Sequence, residues 1–494
     1  MRRPASPTVE AGCLYRPRFH FTPATGWMND PNGLVHTAAG YHAFFQYNPS
    51  DTVWGDIVWG HAVSEDLLHW RQLGVAIDPG DVMAFSGSAV PCDAEVLGSE
   101  GGPLLVAAYT GHHADSELQE QRLAVSRDDG LSWQPLGDEP VLGERSPHFR
   151  DPCLFWHSAS EAWVMMVVYA SRHQVAFFRS PDLRTWTRHG IFQMDEAEDV
   201  EWECPELVRL ADPQHPGRDL WMLKVDLSKG AVAGGSGGKY FLGNFDGFAF
   251  EALPVVDGPP EAEGLWAWLD YGKDFYAAQT FSRSTFGKSP LWLGWASNWQ
   301  YARQTPTETW RGCLSLPRHL SLGTGKRGCY LRQTPIPLNA VATGPPQALP
   351  QRIEACAPRV TVPSGRCFEL RCRFTRWTAR EIGLDLAVGR GCRSRLVFQL
   401  DSERLIFDRR MSGETAFHGE FPVLMEAPFA PRRGFDLHVV VDHSVVEVFV
   451  DNGRLTMTHL IFPPDGAEGF RFFTHGGDAV MEDAQWTSLE TPKG

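Results

Sequence analysis

Ser180-Pro181-Asp182-Leu183-Arg184-Thr185-Trp186 is a turn with an aromatic residue just behind it, and it follows two β-rich runs, Val164–Tyr169 and Val175–Phe178. Ser, Pro and Asp each favour turns, by side-chain capping of the backbone or by fixing φ. The same pattern stands at Ser64-x-Asp66-x-x-x-Trp70 and at Ser126-x-Asp128-Asp129-Gly130-x-x-Trp133. A degraded copy is Asn244-Phe245-Asp246-Gly247-x-x-Phe250. The starts lie 62, 54 and 64 residues apart. Three good copies argue against chance recurrence of a common turn. A strand-joining turn repeated at that interval marks one propeller blade per repeat. The first 330 residues then hold about five blades.

Beyond Ser321 the texture changes. Residues 321–352 are rich in Gly, Pro and Thr and read as an irregular connection, with the linker proper at 336–352. From Ile353 apolar and polar residues alternate, as in Cys367-Phe368-Glu369-Leu370-Arg371-Cys372-Arg373-Phe374 and Phe435-Asp436-Leu437-His438-Val439-Val440-Val441-Asp442. Val445–Val450 runs into Asp451-Asn452-Gly453, a hairpin signal. Many short strands with almost no helical period predict a β-sandwich. The expected chain is all-β: a five-bladed β-propeller over 1–335, a linker at 336–352 and a C-terminal β-sandwich over 353–494.

A chain of 494 residues exceeds one ordinary core, and 43% apolar content is enough to fill two. A formal charge of −15 is wrong for binding nucleic acid or an anionic membrane. No apolar run approaches the roughly 18 residues that a bilayer span needs. Met1-Arg2-Arg3 is not followed by a hydrophobic stretch, so the sequence reads as cytoplasmic or as having lost a secretion signal. The ten cysteines include no Cys-x-x-Cys pair. Most are expected to be small buried apolar groups, and Cys367 and Cys372 should face opposite sides of one strand. His112-His113 with Asp115 lacks further ligands at zinc-like spacing, so neither a metal nor a cofactor is expected.

Three acids stand out. Asp30 lies in Trp27-Met28-Asn29-Asp30-Pro31-Asn32-Gly33, Asp151 in Phe149-Arg150-Asp151-Pro152, and Glu203 in Glu201-Trp202-Glu203-Cys204-Pro205-Glu206. Each is braced by a nearby proline among aromatic residues. Each also falls early in its repeat, ahead of Ser64, Ser180 and Asn244 respectively. In a propeller the first strand of each blade lines the central channel, so that phase lets all three point into one funnel. Carboxylates among rings suit a sugar, and the 18 tryptophans supply stacking faces.

With Phe45-Gln46-Tyr47-Asn48-Pro49, Trp59-Gly60-His61-Ala62 and Phe85-Ser86-Gly87-Ser88, these motifs resemble glycoside hydrolase family 32, the β-fructofuranosidases. In the C-terminal part Phe407-Asp408-Arg409 and Ser444–Phe449 are also similar to that family. The resemblance implies a five-bladed propeller with a β-sandwich, and a retaining hydrolysis through a covalent fructosyl-enzyme. It implies Asp30 as nucleophile, Glu203 as general acid/base and Asp151 as the carboxylate that binds fructose and stabilises the transition state. It implies a fructose pocket of Asn29, Gln46, Trp54, Phe85, Ser86, Arg150 and Trp299. Positive charge developing at the ketose C2 explains why ionised carboxylates belong there. Flanking Trp202 and Cys204, with acids nearby, should raise the pKa of Glu203, and Arg150 should keep Asp151 ionised. Cys204 reads as a packing residue. Cys153 departs from the pattern, where the family often has a basic residue, and leaves the electrostatics beside Asp151 open.

The later motifs, Gly234–Phe241, Asp270–Ala277 and Ser297–Ala302, resemble the fructanase branch, acting on levan or inulin, with sucrose as a smaller substrate. The choice between levan and inulin lies with loops beyond the first sugar. A fructosyltransferase of the same fold would use the same acids. A non-catalytic fructan-binding propeller would not need an acid opposite a nucleophile. A sialidase-like propeller would need an arginine cluster and a nucleophilic Tyr.

Overall fold

Wherever the Ser-x-Asp turn recurs, its side chains build the same local cage. Ser64 Oγ donates to Asp66 Oδ1, Ser126 Oγ to Asp128 Oδ1 and Ser180 Oγ to Asp182 Oδ1, at 3.2, 2.8 and 3.0 Å. The indole N–H of Trp70, Trp133 and Trp186 donates to the carbonyl three residues back, at 3.0, 3.2 and 3.1 Å. The degraded copy keeps only the acid: Asp246 accepts from the amides of Phe248 and Ala249. In the computed structural model, which describes residues 14–98, 102, 104–255, 264–282, 289–325, 328–355, 361–431 and 433–490, each turn joins the third strand of a sheet to the fourth. Met1-Arg2-Arg3, Cys13 and Cys356 lie outside the described residues.

The described residues contain no α-helix. Among them, five sheets, antiparallel but for one short pair, precede residue 336. Their first strands are Gly26–Thr37, Met83–Cys92, Phe149–His157, Trp202–Ala211 and Tyr276–Thr280. These strands touch one another in a closed ring, each packed on the next and the last on the first. A late strand, Trp310–Arg311, pairs in parallel with Gly26–Trp27 in the first sheet. This arrangement is consistent with a propeller.

Residues 321–335 are not irregular. Arg318–Gly325 and Gly328–Pro335 form a hairpin in the fifth sheet, in register from Arg318–Pro335 to Gly325–Gly328. Leu320, Leu322, Cys329 and Leu331 alternate inward, and the intervening Gly and Thr mask that period of two in the sequence. Further on, Gln347–Ala348 and Arg352–Ile353 already pair with the last strand, Ala479–Ser488.

The C-terminal part is two antiparallel sheets face to face. Phe368, Leu370, Cys372 and Phe374 alternate into a core shared with Leu384, Phe398, Phe407, Val439 and Val448. Cys367 and Val440 face the other way, into a cluster with Phe19, Leu34 and Leu316. One sheet thus packs on its sister and on the N-terminal part at once. The Asp451-Asn452-Gly453 turn is left-handed throughout, and a Cβ at Gly453 would lie 1.8 Å from the Gln333 carbonyl oxygen. Six of the eight described cysteines are buried.

Charges are also buried between the parts. Arg318 donates to Glu447 Oε2 from Nη2 at 2.8 Å and to Asp270 Oδ2 at 3.2 Å. Arg409 donates to Asp274 Oδ2 at 2.6 Å and to the Tyr301 hydroxyl at 2.8 Å. His20 lies 2.8 Å from Asp442 and 3.3 Å from Glu447.

Candidate active site

A proline inside a strand cannot donate to the ladder, and a bulge is one place where a strand accommodates it. Three of the five first strands carry such a proline one or two residues beyond a candidate acid: Pro31, Pro152 and Pro205. All five break register, between Met28 and Pro31, Phe85 and Gly87, Arg150 and Cys153, Glu203 and Glu206, and Tyr276 and Gln279. Asp151, Cys204 and Ala277 sit at these breaks with φ of 63°, 47° and 52°. A left-handed residue without glycine is strained, and such strain collects at functional sites. The bulges turn the acids out of the pleat and into the middle of the ring.

There a cavity of about 510 Å³ is lined by all ten residues singled out in the sequence: Asn29, Asp30, Gln46, Trp54, Phe85, Ser86, Arg150, Asp151, Glu203 and Trp299. Asp30 accepts from Ser86 Oγ at 2.7 Å, from Asn29 Nδ2 at 3.0 Å and from the Cys204 thiol at 3.4 Å. Asn29 is itself fixed by the Trp27 indole N–H at 2.7 Å. Burial raises the pKa of Asp30 and the Glu203 charge adds to this, while Ser86 and Asn29 oppose it.

Glu203 accepts from Arg150 Nη2 at 2.8 Å on one oxygen and from the Tyr276 hydroxyl on the other. Trp202 does not flank the carboxyl in space. It is fully buried in a core with Phe241 and Val225, because neighbours on a strand point to opposite faces.

Arg150 favours the ionised form of Asp151, as its position in the sequence suggests, but does not offset burial. Burial dominates and pushes the Asp151 carboxyl up to about 7, against the pull of Arg150 and of the Cys204 amide. The Arg150 guanidinium closes on Glu201 and Glu203, and its Nε stays 4.0 Å from Asp151. Asp151 is held by the backbone N–H of Cys204 at 2.8 Å. Cys153 points away, towards Glu206 at 3.6 Å, so it leaves the surroundings of Asp151 to other groups.

The rings form the wall. Trp299 stacks on Trp27 at 5.9 Å, and Phe85 lies edge-on to Trp54 at 5.8 Å. Gln46 is fixed by donating to the Ala84 carbonyl at 2.9 Å. Several lining residues were missed in the sequence. His112 stacks flat on Phe85 at 4.5 Å, Arg303 lies over Trp54, and Glu201 and His148 stand beside Arg150. Tyr276 bonds Glu203 directly. Glu201 and Tyr276 lay within quoted motifs. His112 and His148 carried no local signal of this role.

Buried carboxylates in a ring-walled cavity, with hydroxyl and amide donors beside them, are equipped to bind a sugar and cleave its glycosidic bond. Residues 20–335 match the family model for the glycosyl hydrolases family 32 N-terminal domain, and residues 341–489 match that for its C-terminal domain. The chain belongs to glycosyl hydrolase family 32. It is 36% identical over 481 residues to a levanase of Bacillus subtilis (strain 168), an alignment covering 95% of this chain and 69% of that protein. It is 39% identical over 321 residues to invertase 2 of Saccharomyces cerevisiae, covering 63% of this chain and 58% of the other. The crystal structure of an exo-inulinase from Aspergillus awamori superposes with a TM-score of 0.89 at 31% identity, covering 96% of this chain and 98% of that one.

Proposed function

We propose that this family 32 glycoside hydrolase releases β-fructosyl units from fructans, levan or inulin, and from sucrose. The observation that carries the reading is the meeting of Asp30, Asp151 and Glu203 at one cavity, each on or beside a bulge. Likeness to a levanase, an exo-inulinase and an invertase supports the substrate class.

In this reading Asp30 attacks the fructosyl C2 while Glu203 protonates the leaving oxygen. A covalent fructosyl-enzyme forms, and Glu203 then takes a proton from the water that releases fructose with retained configuration. Asp151 binds the sugar hydroxyls and stabilises charge in the transition state. Asn29, Gln46, Trp54, Phe85, Ser86, Arg150 and Trp299 form the fructose pocket. The five ringed sheets are read as five blades, with the catalytic domain over 1–335, the linker at 336–352 and the sandwich over 353–494. The closed ring of first strands supports that blade count.

Incubation with sucrose, inulin and levan, followed by product chromatography, tests the function. Free fructose from any of the three is the expected result. Transfer products without free fructose would instead identify a transferase, and unchanged substrates would leave only a binding protein.

A further inference from the structure

Glu201 is outside the three-acid set, yet it is tied to the same arginine. Arg150 Nη2 donates one hydrogen to Glu201 Oε2 at 2.5 Å and one to Glu203 Oε1 at 2.8 Å. The second oxygen of Glu201 meets His148 Nδ1 at 2.6 Å. His148, Glu201, Arg150 and Glu203 thus form a single chain of charges. It runs from a half-exposed imidazole at the cavity rim to the proton donor inside. We propose that Glu201 and His148 are positioning residues that set the pH at which Glu203 holds its proton, by dividing the charge of Arg150 between two carboxylates. The inference rests on the reading of Glu203 as the acid/base.

A guanidinium is charged at every pH the enzyme meets. With Glu203 as its sole partner, at 2.8 Å, it would favour the ionised carboxylate, which is the wrong state for protonating a leaving group. Glu201 supplies the missing counter-charge. Burial works against ionisation of Glu201, but Arg150 and then His148 draw its pKa below the ordinary value. Glu201 is therefore ionised where Glu203 must be protonated, and the Arg150–Glu201 pair presents little net charge to Glu203. The His148 ring nitrogen, held 2.6 Å from the other Glu201 oxygen, takes back part of that compensation. The other titratable or charged groups that face the chain or share its cavity include Asp30, His112, Asp151, Cys204, Asp226 and Tyr276, from first or second strands, and Glu117 and Arg303 of the cavity wall. The two substitutions below leave all of them in place.

The pH dependence of kcat/KM on sucrose reads this directly. Glu201 and His148 have side chains 30% and 44% exposed, so Glu201→Gln and His148→Asn are expected to fold. Removing the Glu201 charge gives Arg150 to Glu203, so the alkaline limb should move down by about 1 pH unit. Removing the imidazole frees Glu201 to compensate Arg150 more fully, so the alkaline limb should move up by a smaller amount. A structural role alone would not shift the limb in opposite directions. If either movement fails, the proposal is overturned while the hydrolase reading stands. If the wild type cleaves no fructoside, both fall together.

Discussion

The thiol of Cys204 donates to Asp30 Oδ2 at 3.4 Å, so the residue that follows the proposed proton donor also holds the proposed nucleophile. Its backbone N–H holds Asp151 as well. Cys204→Ala removes only the thiol contact, since the backbone bond and the bulge remain. A net hydrogen bond contributes about 0.5–1.5 kcal/mol, so kcat should fall by roughly three- to tenfold, with KM little changed. Steady-state kinetics on sucrose check this. A loss of several orders of magnitude would give the thiol a chemical role, and no loss would make it packing alone.

The three acids should separate by role. Asp30→Asn should abolish cleavage of every substrate. Glu203→Gln should still form the fructosyl-enzyme from a substrate with an activated leaving group, and that intermediate should accumulate for want of a base. Azide should release it as a β-fructosyl azide. Asp151→Asn should impair binding and rate together, without rescue by azide or by a better leaving group. Azide rescue of Asp30→Asn, or an inverted wild-type product, would remove the assignment of nucleophile and acid.

Ser86 bears on the acid limb. Asp30, the proposed nucleophile, must be ionised to act as one, and burial raises its pKa while the Ser86 hydroxyl lowers it. Ser86→Ala should therefore move the acid limb of kcat/KM upward, by roughly 0.5–1 pH unit. An acid limb that stays in place would mean that another group governs it.

His20 makes folding stability depend on pH. Burial works against its charge, but the hydrogen bonds and charges of Asp442 and Glu447 win and raise its pKa from 6.5 to about 9. The native state thus binds the proton more tightly than the unfolded chain does. The stabilisation is complete below about pH 6.5 and is lost as pH rises through 9, amounting to roughly 3 kcal/mol. Thermal denaturation from pH 6 to 9.5 should show a falling Tm. His20→Gln should start lower and lose less across that window. An equal slope in both proteins would place the titration elsewhere.

The turns were legible because their chemistry is local. Within one heptapeptide the Ser hydroxyl bonds the Asp and the Trp indole bonds a backbone carbonyl, so the sequence carries the whole motif. The acids were legible through the prolines that stand beside them at bulges. What pairs with those acids was not. Tyr276 reaches Glu203 from 73 residues away, and the ring of first strands alone brings them together. The partner of Arg150 was misread because adjacency along a bulged strand says little about which way two side chains point. The hairpin from Arg318 to Pro335 was missed because glycine and threonine between the inward residues weaken its alternation.

The charges buried between the N-terminal part and the sandwich bear on how the molecule melts. Glu447 and Arg409 of the sandwich find their ion partners, Arg318, His20 and Asp274, across that boundary. Separating the two parts would leave several ions unpaired in apolar surroundings, at several kcal/mol for each broken pair. No intermediate with one half folded and the other unravelled is then well populated. Calorimetry should record a single endotherm whose van't Hoff and calorimetric enthalpies agree, and the sandwich behaves as part of one cooperative unit with the catalytic ring.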